Sequence, residues 1–160
     1  MKKVAVIMGS ASDSAIAQKA VDVLKAFEAP YEVHVYSAHR TPVEARDFSV
    51  NAREAGFGAI IAIAGMAAHL AGAIAANTTL PVIGVPVKSA AFGGMDALLS
   101  TVQMPTGIPV ATVAADGGAN AALLALEILA VTDKELEEKL AARRAADYQK
   151  VLVSDAALEL

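Results

Sequence analysis

The sequence SAHRTP at positions 37–42 places a hydroxyl, an imidazole and a guanidinium within four consecutive residues. Arg40 suits a phosphate, because its planar guanidinium can donate two parallel hydrogen bonds. Histidine is the side-chain type that exchanges protons most readily near neutral pH, so His39 is a candidate acid or base. The alternative is purely structural: Thr41 caps a following helix, Pro42 starts it, and His39 and Arg40 are solvated.

A second polar stretch, GSASD at positions 9–13, has the composition of an anion-binding loop. Gly9 would let the backbone approach a ligand, and free amides at a helix start favour negative charge. Ser10 and Ser12 would add hydroxyl donors. Asp13 does not suit a phosphate; it could accept hydrogen bonds from sugar hydroxyls, or it could cap the helix that follows.

A third polar stretch, GMAAH at positions 65–69, ends in a histidine within apolar surroundings. His69 could be a structural group or a ligand contact, and its spacing alone does not decide. His34 lies in the middle of a predicted strand and is assigned no role. We expect Lys88 to be solvated and Asp96 to lie at a helix start.

Hydrophobic periodicity predicts five strands alternating with helices. The strands cover residues 3–8, 31–36, 59–64, 81–85 and 108–113. The first helix follows the loop at 9–14 and ends near residue 28. The next four cover residues 43–55, a stretch ending near 76, 95–102 and 119–130. A charged helix over residues 132–151 completes the chain, and its Thr132 and Glu135 form a capping-box pattern.

This alternation predicts a parallel sheet covered by helices on both faces. The ligand of such a sheet binds beyond the carboxyl ends of the strands, at the point where the strand order reverses. The polar loops at 9–13, 37–42, 65–69 and 86–94 each follow a strand, so they should meet there. Together they fit proton transfer on a phosphorylated small molecule.

Composition restricts the class of protein. The 160 residues fit a single domain, residues 1–160, with its core at about 3–130. The net charge of −4 argues against nucleic-acid binding, and the absence of cysteine excludes disulfides and thiolate chemistry. No signal-peptide pattern opens the chain, so we expect a cytoplasmic protein.

Apolar residues make up 56% of the chain, and the mean hydropathy is +0.50. A membrane span or a large subunit interface could use this apolar surface. The best membrane candidate, residues 59–76, contains His69 and two glycines and is typical of a buried strand followed by a turn. We therefore expect no membrane segment and infer that the chain forms an oligomer.

Six motifs, in this order, resemble the small single-domain class of N5-carboxyaminoimidazole ribonucleotide (N5-CAIR) mutases, the PurE enzymes of purine biosynthesis. They are MGSASD (8–13), SAHRTP (37–42), AAHLAG (67–72), GVPVKS (84–89), VQMPTGIPV (102–110) and NAALLA (120–125). The resemblance covers roughly residues 3–130.

The resemblance implies a flavodoxin-like three-layer α/β/α sandwich, assembled as a homo-octamer, that moves a carboxylate from the exocyclic nitrogen of a ribonucleotide to its imidazole ring carbon without cofactor or metal. It implies that His39 is the catalytic acid and base and that Asp13 is a ribose ligand rather than a cap. The expected substrate-binding residues are Gly9, Ser10, Ser12, Asp13, Ser37, Ala38, Arg40, Gly65, Met66, Ala67, His69 and Leu70.

The chain departs from the family pattern at three positions. Met66 stands where most members have a second glycine and adds bulk beside the expected carbon dioxide pocket. Ala71 replaces a proline, which removes a rigid turn. Ser14 replaces a common tryptophan, with no evident consequence. None of the three is an ionisable residue, so loop shape and rate are in question rather than the reaction.

Two alternative functions stay open on the sequence. A second class of the family carboxylates aminoimidazole ribonucleotide directly with carbon dioxide and usually has lysine after the histidine, whereas this chain has Arg40. The other alternative is a non-catalytic flavodoxin-like nucleotide-binding module. A phospho-receiver would need acidic residues after the first strand, where residues 8–10 have none. A flavin module would bring aromatic residues, and only Tyr36 and Phe92 lie near the loops.

Overall fold

The computed structural model describes residues 1–159. Its strands are Lys3–Met8 (β1), Tyr31–Val35 (β2), Phe57–Gly65 (β3), Val82–Val87 (β4) and Ala111–Thr112 (β5). Its helices are Ser14–Ala26 (α1), Pro42–Asn51 (α2), Leu70–Ala75 (α3), Met95–Val102 (α4), Gly118–Ala130 (α5) and Lys134–Ala156 (α6), and a short 3-10 turn, Ala11–Asp13, precedes α1. The predicted order of elements is confirmed.

The five strands form one parallel sheet in the order β2-β1-β3-β4-β5. The chain moves outward in one direction from β1 to β2 and in the other from β3 onward. The order therefore reverses between β1 and β3, which is where a sheet of this kind binds its ligand. The loops at 9–13 and 65–69 start at the carboxyl ends of these two strands.

The sheet has a separate apolar core on each face. Ile61 and Ile63 pack into the core shared with α1 and α5, whereas Ile60 and Ala62 pack into the core shared with α3. This double burial explains why β3 is a continuous apolar run rather than an alternating one. The flavodoxin-like three-layer arrangement is confirmed.

Four strands differ from their predicted bounds: β2 ends one residue early, β3 is longer at both ends, and β4 and β5 differ at stretches that contain a proline. Strand β4 continues through Pro86, which pairs with β3, because β5 pairs only with Ile83 and Gly84 and leaves no bond for the missing amide of Pro86. Strand β5 is reduced to two residues rather than the predicted 108–113. Pro109 cannot donate to a ladder, so the residues before β5 run beside the sheet without pairing.

The extra C-terminal helix is confirmed, but its predicted capping box is wrong. Asp133, not Thr132, is the cap: its carboxylate accepts a hydrogen bond from the Leu136 amide at 3.1 Å. Leu136 and Leu140 are buried in the core that α1 and α5 share, so the first turns of α6 pack on their own chain. Further along, Tyr148 and Val151 are exposed.

The stretch proposed and rejected as a membrane span, residues 59–76, divides into most of β3, a loop and α3. Among the helices within residues 1–159, none combines the length and the apolar character needed to cross a membrane.

Replacing Leu136 with alanine tests how α6 is held. The side chain has 0% exposure, so Leu136→Ala should lower the free energy of unfolding by about 2–4 kcal/mol, measured by urea denaturation. Leu158→Ala makes the same chemical change at a site that is 63% exposed and should shift stability by less than about 0.5 kcal/mol. Equal, small losses in both variants would show that α6 does not depend on this core.

Candidate active site

The 37–42 loop is closed on itself by Thr41. The Ser37 amide donates to Thr41 Oγ1 at 2.8 Å, and the Thr41 amide donates to the Ser37 carbonyl at 2.9 Å. The Arg40 amide also donates to Ser37 Oγ at 3.1 Å. Pro42 starts α2 as expected, but Thr41 makes no side-chain cap. The Thr41 side chain instead rigidifies the loop that presents His39 and Arg40.

Two histidines from different strand ends face each other. The rings of His39, after β2, and His69, after β3, are stacked with their centroids 5.7 Å apart and their planes 11° from parallel. Both side chains are exposed at the mouth of the same cavity. His34 lies elsewhere: it stacks on Tyr36 at 5.1 Å and packs near Phe48.

The 9–13 loop is organised by Ser10 rather than by Asp13. Ser10 Oγ accepts from the Ser12 amide at 3.3 Å and lies 2.9 Å from the Ser12 hydroxyl. Asp13 makes no side-chain cap to α1, so the capping alternative is wrong. The Arg40 guanidinium donates to the Gly9 carbonyl at 3.2 Å and joins this loop to the 37–42 loop.

The charges of the site are unevenly compensated. Within residues 1–159, neither Arg40 nor Lys88 has an ion-pair partner, so both cations remain available to an anionic ligand. Burial in the site raises the pKa of the Asp13 carboxyl, the Ser12 hydroxyl opposes this shift, and the negative charge of Asp116 adds to it. A carboxylate held in this way gains from donors that a ligand supplies.

The loop after β3 has a strained start. Met66 has φ +57°, in the left-handed region, where the backbone conformation costs a residue with a side chain about 1–2 kcal/mol. Its side chain is 70% exposed, so the bulk that replaces a glycine lies at the rim of the cavity. Ala71 lies in the first turn of α3, where a proline would also fit because the amide has no partner in the helix.

One cavity of about 690 Å³ lies at the carboxyl ends of β1, β2, β3 and β4, within the size range of small-molecule sites. All thirteen residues predicted from the sequence line it. Five further residues line it: Ala64, and Val87, Lys88, Ser89 and Ala90 from the 86–94 loop, which was expected at this edge of the sheet but from which no site residue was named. Lys88 is exposed, as expected, but it also lines the cavity, and its place in the 86–94 loop was the available signal for a role there.

Within residues 1–159, no group of three or more histidine and acidic side chains is placed to hold a metal ion. The arrangement instead consists of a rigid loop with an imidazole and a guanidinium, a serine-rich loop, and apolar walls. These groups can bind a phosphorylated ligand and exchange a proton with it.

Comparison with known proteins agrees with this arrangement. The family model described as AIR carboxylase matches residues 3–150. The N5-carboxyaminoimidazole ribonucleotide mutase of Pyrococcus abyssi is 57% identical over 88% of this chain and 80% of its own length. The enzyme of the same name from Escherichia coli K12 is 53% identical over 94% and 90%, and that from Bacillus subtilis 168 is 53% identical over 94% of each chain.

A crystal structure of Treponema denticola PurE superposes with a TM-score of 0.89 at 32% identity, covering 99% of both chains. Fold and site thus define a flavodoxin-like enzyme that acts on a small phosphorylated molecule. The chain belongs to the AIR carboxylase family, within which its curated relatives at 50–57% identity are N5-CAIR mutases.

The raised pKa of Asp13 predicts a conflict between stability and binding. Because folding favours the protonated form, the charged carboxylate destabilises the native state at neutral pH. Asp13→Asn should therefore unfold at a higher urea concentration than the wild type at pH 7. The stability advantage of the variant should shrink once the pH falls below the raised pKa of Asp13 in the folded protein, and it should vanish below the pKa of Asp13 in the unfolded chain. The substrate affinity of the variant should be lower than that of the wild type at every pH.

Asp22→Asn, on the exposed face of α1, is the matched control: its amide oxygen can still accept the hydrogen bond from Gln18, and it should show no gain in stability at pH 7. An Asp13→Asn protein that is less stable than the wild type at pH 7 would contradict the assignment of Asp13 as a strained ligand-binding group.

Proposed function

We propose that this protein is an N5-CAIR mutase of purine biosynthesis that moves the carboxylate of its substrate from the exocyclic nitrogen to the ring carbon and yields 4-carboxy-5-aminoimidazole ribonucleotide. The observation that carries the proposal is the convergence of His39, Arg40, Ser10 and Asp13 on one cavity at the β1/β3 reversal. It combines a proton carrier with groups that fit a ribose phosphate.

The mutase is favoured over the direct carboxylase of the same family. The description of the family model does not distinguish the two reactions, but the curated relatives at 50–57% identity are named as mutases. Arg40, in the position after the histidine, agrees with that class.

The non-catalytic module gains no support from the geometry. Tyr36 packs against His34 and Phe48, and Phe92 is 71% exposed. Neither aromatic side chain is among the residues that line the cavity, so neither is placed to cover a flavin there.

The binding roles follow from charge and donor geometry. Arg40 and the Ser10 hydroxyl hold the phosphate, and the amides of the 9–13 loop add to them. Asp13 accepts hydrogen bonds from the ribose hydroxyls, which compensates the buried carboxylate. Lys88 lies on the opposite wall and adds a second positive charge toward the substrate carboxylate.

The reaction needs one proton to be given and one to be taken. His39 in its protonated form donates a proton to the exocyclic nitrogen as the nitrogen–carbon bond breaks, which leaves aminoimidazole ribonucleotide and carbon dioxide. The electrons of the ring then form the new carbon–carbon bond to carbon dioxide. Neutral His39 removes the proton left on that ring carbon, which restores the aromatic ring and returns the imidazole to its starting state.

Carbon dioxide must stay in the site between the two steps. Ala64, Ala67, Leu70 and Val87 supply apolar walls beside the two histidines. When both fragments are retained in one cavity, they do not have to meet again from solution, and their effective concentration is high. His69, stacked against His39, limits the orientations that the catalytic imidazole adopts.

A paired assay tests the function and the role of His39. Wild-type protein given N5-CAIR, without nucleotide or added metal, should form product rapidly, and aminoimidazole ribonucleotide with modest bicarbonate should give little. His39→Asn should lower kcat by about 10²–10⁴-fold, the usual contribution of a general acid–base group. His34→Asn makes the same change outside the cavity and should retain activity.

Rapid turnover of only the second substrate would assign the chain to the carboxylase class. Near-normal kcat in His39→Asn would exclude this imidazole as the proton carrier.

We further propose that the chain assembles as a homo-octamer. In the isolated chain, α4 and the preceding loop expose Phe92, Met95, Leu99 and Val102, which recur at helical spacing. A contiguous apolar face of this kind on a soluble chain marks an interaction surface. The far end of α6 exposes a second apolar group, Tyr148, Val151, Leu152 and Val153.

Light scattering after size-exclusion chromatography should give eight times the 16.3 kDa mass of the chain. Leu99→Glu should reduce this mass, because a buried interface charge is unfavourable. Gln18→Glu, which adds a negative charge to the exposed face of α1, should leave it unchanged. A wild-type mass of one chain would refute the assembly.

A further inference from the structure

The loop at residues 66–69, which carries His69, has little hydrogen bonding of its own. The Ala68 amide donates to the Met66 carbonyl at 2.9 Å, and the His69 amide donates to the Ala67 carbonyl at 2.7 Å. Both bonds span only two residues and close tight three-residue turns. Since Met66 is also in the left-handed region, the loop needs support from outside to keep one shape.

Ser100, on α4, supplies that support. Its Oγ accepts a hydrogen bond from the Ala68 amide at 3.1 Å and lies 3.4 Å from the Met66 carbonyl. A serine hydroxyl has one hydrogen to donate, and the shortest contact of Ser100 Oγ is with the Asp96 carbonyl one turn earlier. Within residues 1–159, residues 67–69 form hydrogen bonds to two helices: α3, which follows them, and α4, through this contact with Ser100.

Helix α4 is a firm anchor for this contact. Ala97 is fully buried and Thr101 nearly so, and Thr101 packs so closely over Gly84 of β4 that a Cβ there would clash with its Cγ2. The same helix also holds the loop on the other side of the cavity, because the Ser89 hydroxyl lies 3.1 Å from each carboxylate oxygen of Asp96.

We infer that Ser100 is a positioning residue for the mutase reaction: through the Ala68 amide it sets the loop that holds His69 against His39. This inference rests on the proposed function. Ser100 is not among the cavity-lining residues, so it acts on the reaction only through this loop. A displaced His69 would change the orientation of His39, on which proton transfer depends.

The test compares three single variants in the conversion of N5-CAIR. Ser100→Ala should lower kcat about tenfold with KM changed less than twofold, because phosphate and ribose contacts come from other loops. Ser100→Thr keeps the hydroxyl and should restore at least half of the wild-type kcat. Ser154→Ala is the matched control: it removes a serine hydroxyl on α6 whose one hydrogen bond within residues 1–159 is to the carbonyl one turn earlier, at 2.9 Å, and it should leave kcat unchanged.

A second measurement does not require turnover. The carbon-bound ring protons of His39 and His69 shift each other's nuclear magnetic resonance signals because the rings are stacked. Ser100→Ala should move the His69 and His39 signals, identified with His39→Asn and His69→Asn proteins, and leave those of His34 in place. Ser154→Ala should move none of them.

Wild-type kcat together with unmoved histidine signals in Ser100→Ala would overturn the inference while leaving the proposed function intact. An equal loss of kcat in Ser100→Ala and Ser154→Ala would also overturn the inference. So would a loss of kcat in Ser100→Ala together with a fall in melting temperature that Ser100→Thr shares. Either outcome would point to helix stability alone. If the wild type fails to convert N5-CAIR, the proposed function fails, and the ring signals still decide whether Ser100 positions the loop.

Discussion

Strand β3 is buried on both faces, and this constraint determines where the chemistry of the protein can lie. A strand covered on both sides has no free surface for a ligand, so binding is confined to its end. Because β1 and β3 are neighbours whose following chains leave to opposite faces, their loops separate and open a cleft between them. The 37–42 loop, from the edge strand β2, and the loop after β4 complete the walls of that cleft.

The loops around the cleft are held by different means, which suits their different tasks. The 37–42 loop is fixed from within, because both the amide and the carbonyl of Ser37 bond Thr41. Arg40 then reaches across to Gly9 and is oriented before any anion arrives. A guanidinium that is ordered in advance loses less conformational entropy on binding, so its contacts contribute more to affinity. The loop that carries His69 is instead held from outside, by α4.

The sequence allowed the sheet and the helices to be predicted, because these depend on local patterns, and the strand ends indicated which loops surround the cleft. The full set of cleft residues came instead from the resemblance to a known family. Apolar periodicity is strong in β1 and α4, whose predicted bounds agree with the structure. Strand β5 was predicted too long, since its length depends on pairing with β4, which is not a local property. The roles of Asp133, Thr41 and Ser100 could not be predicted either. Each depends on which hydroxyl or carboxylate meets a particular amide, and neighbouring residues of similar type would serve equally well on pattern alone.

Met66 departs from the family pattern, and its backbone conformation indicates what this departure changes in the loop. The residue adopts φ +57°, the conformation in which a glycine is favoured, so the chain keeps the backbone shape while carrying the side chain. Because that side chain is 70% exposed, it adds bulk at the rim of the cavity and leaves the apolar wall of Ala67 and Leu70 in place. The substitution therefore acts on the energy of the loop. A loop strained in this way depends more on its outside anchor, which gives the Ser100 contact greater weight here than a glycine at position 66 would require.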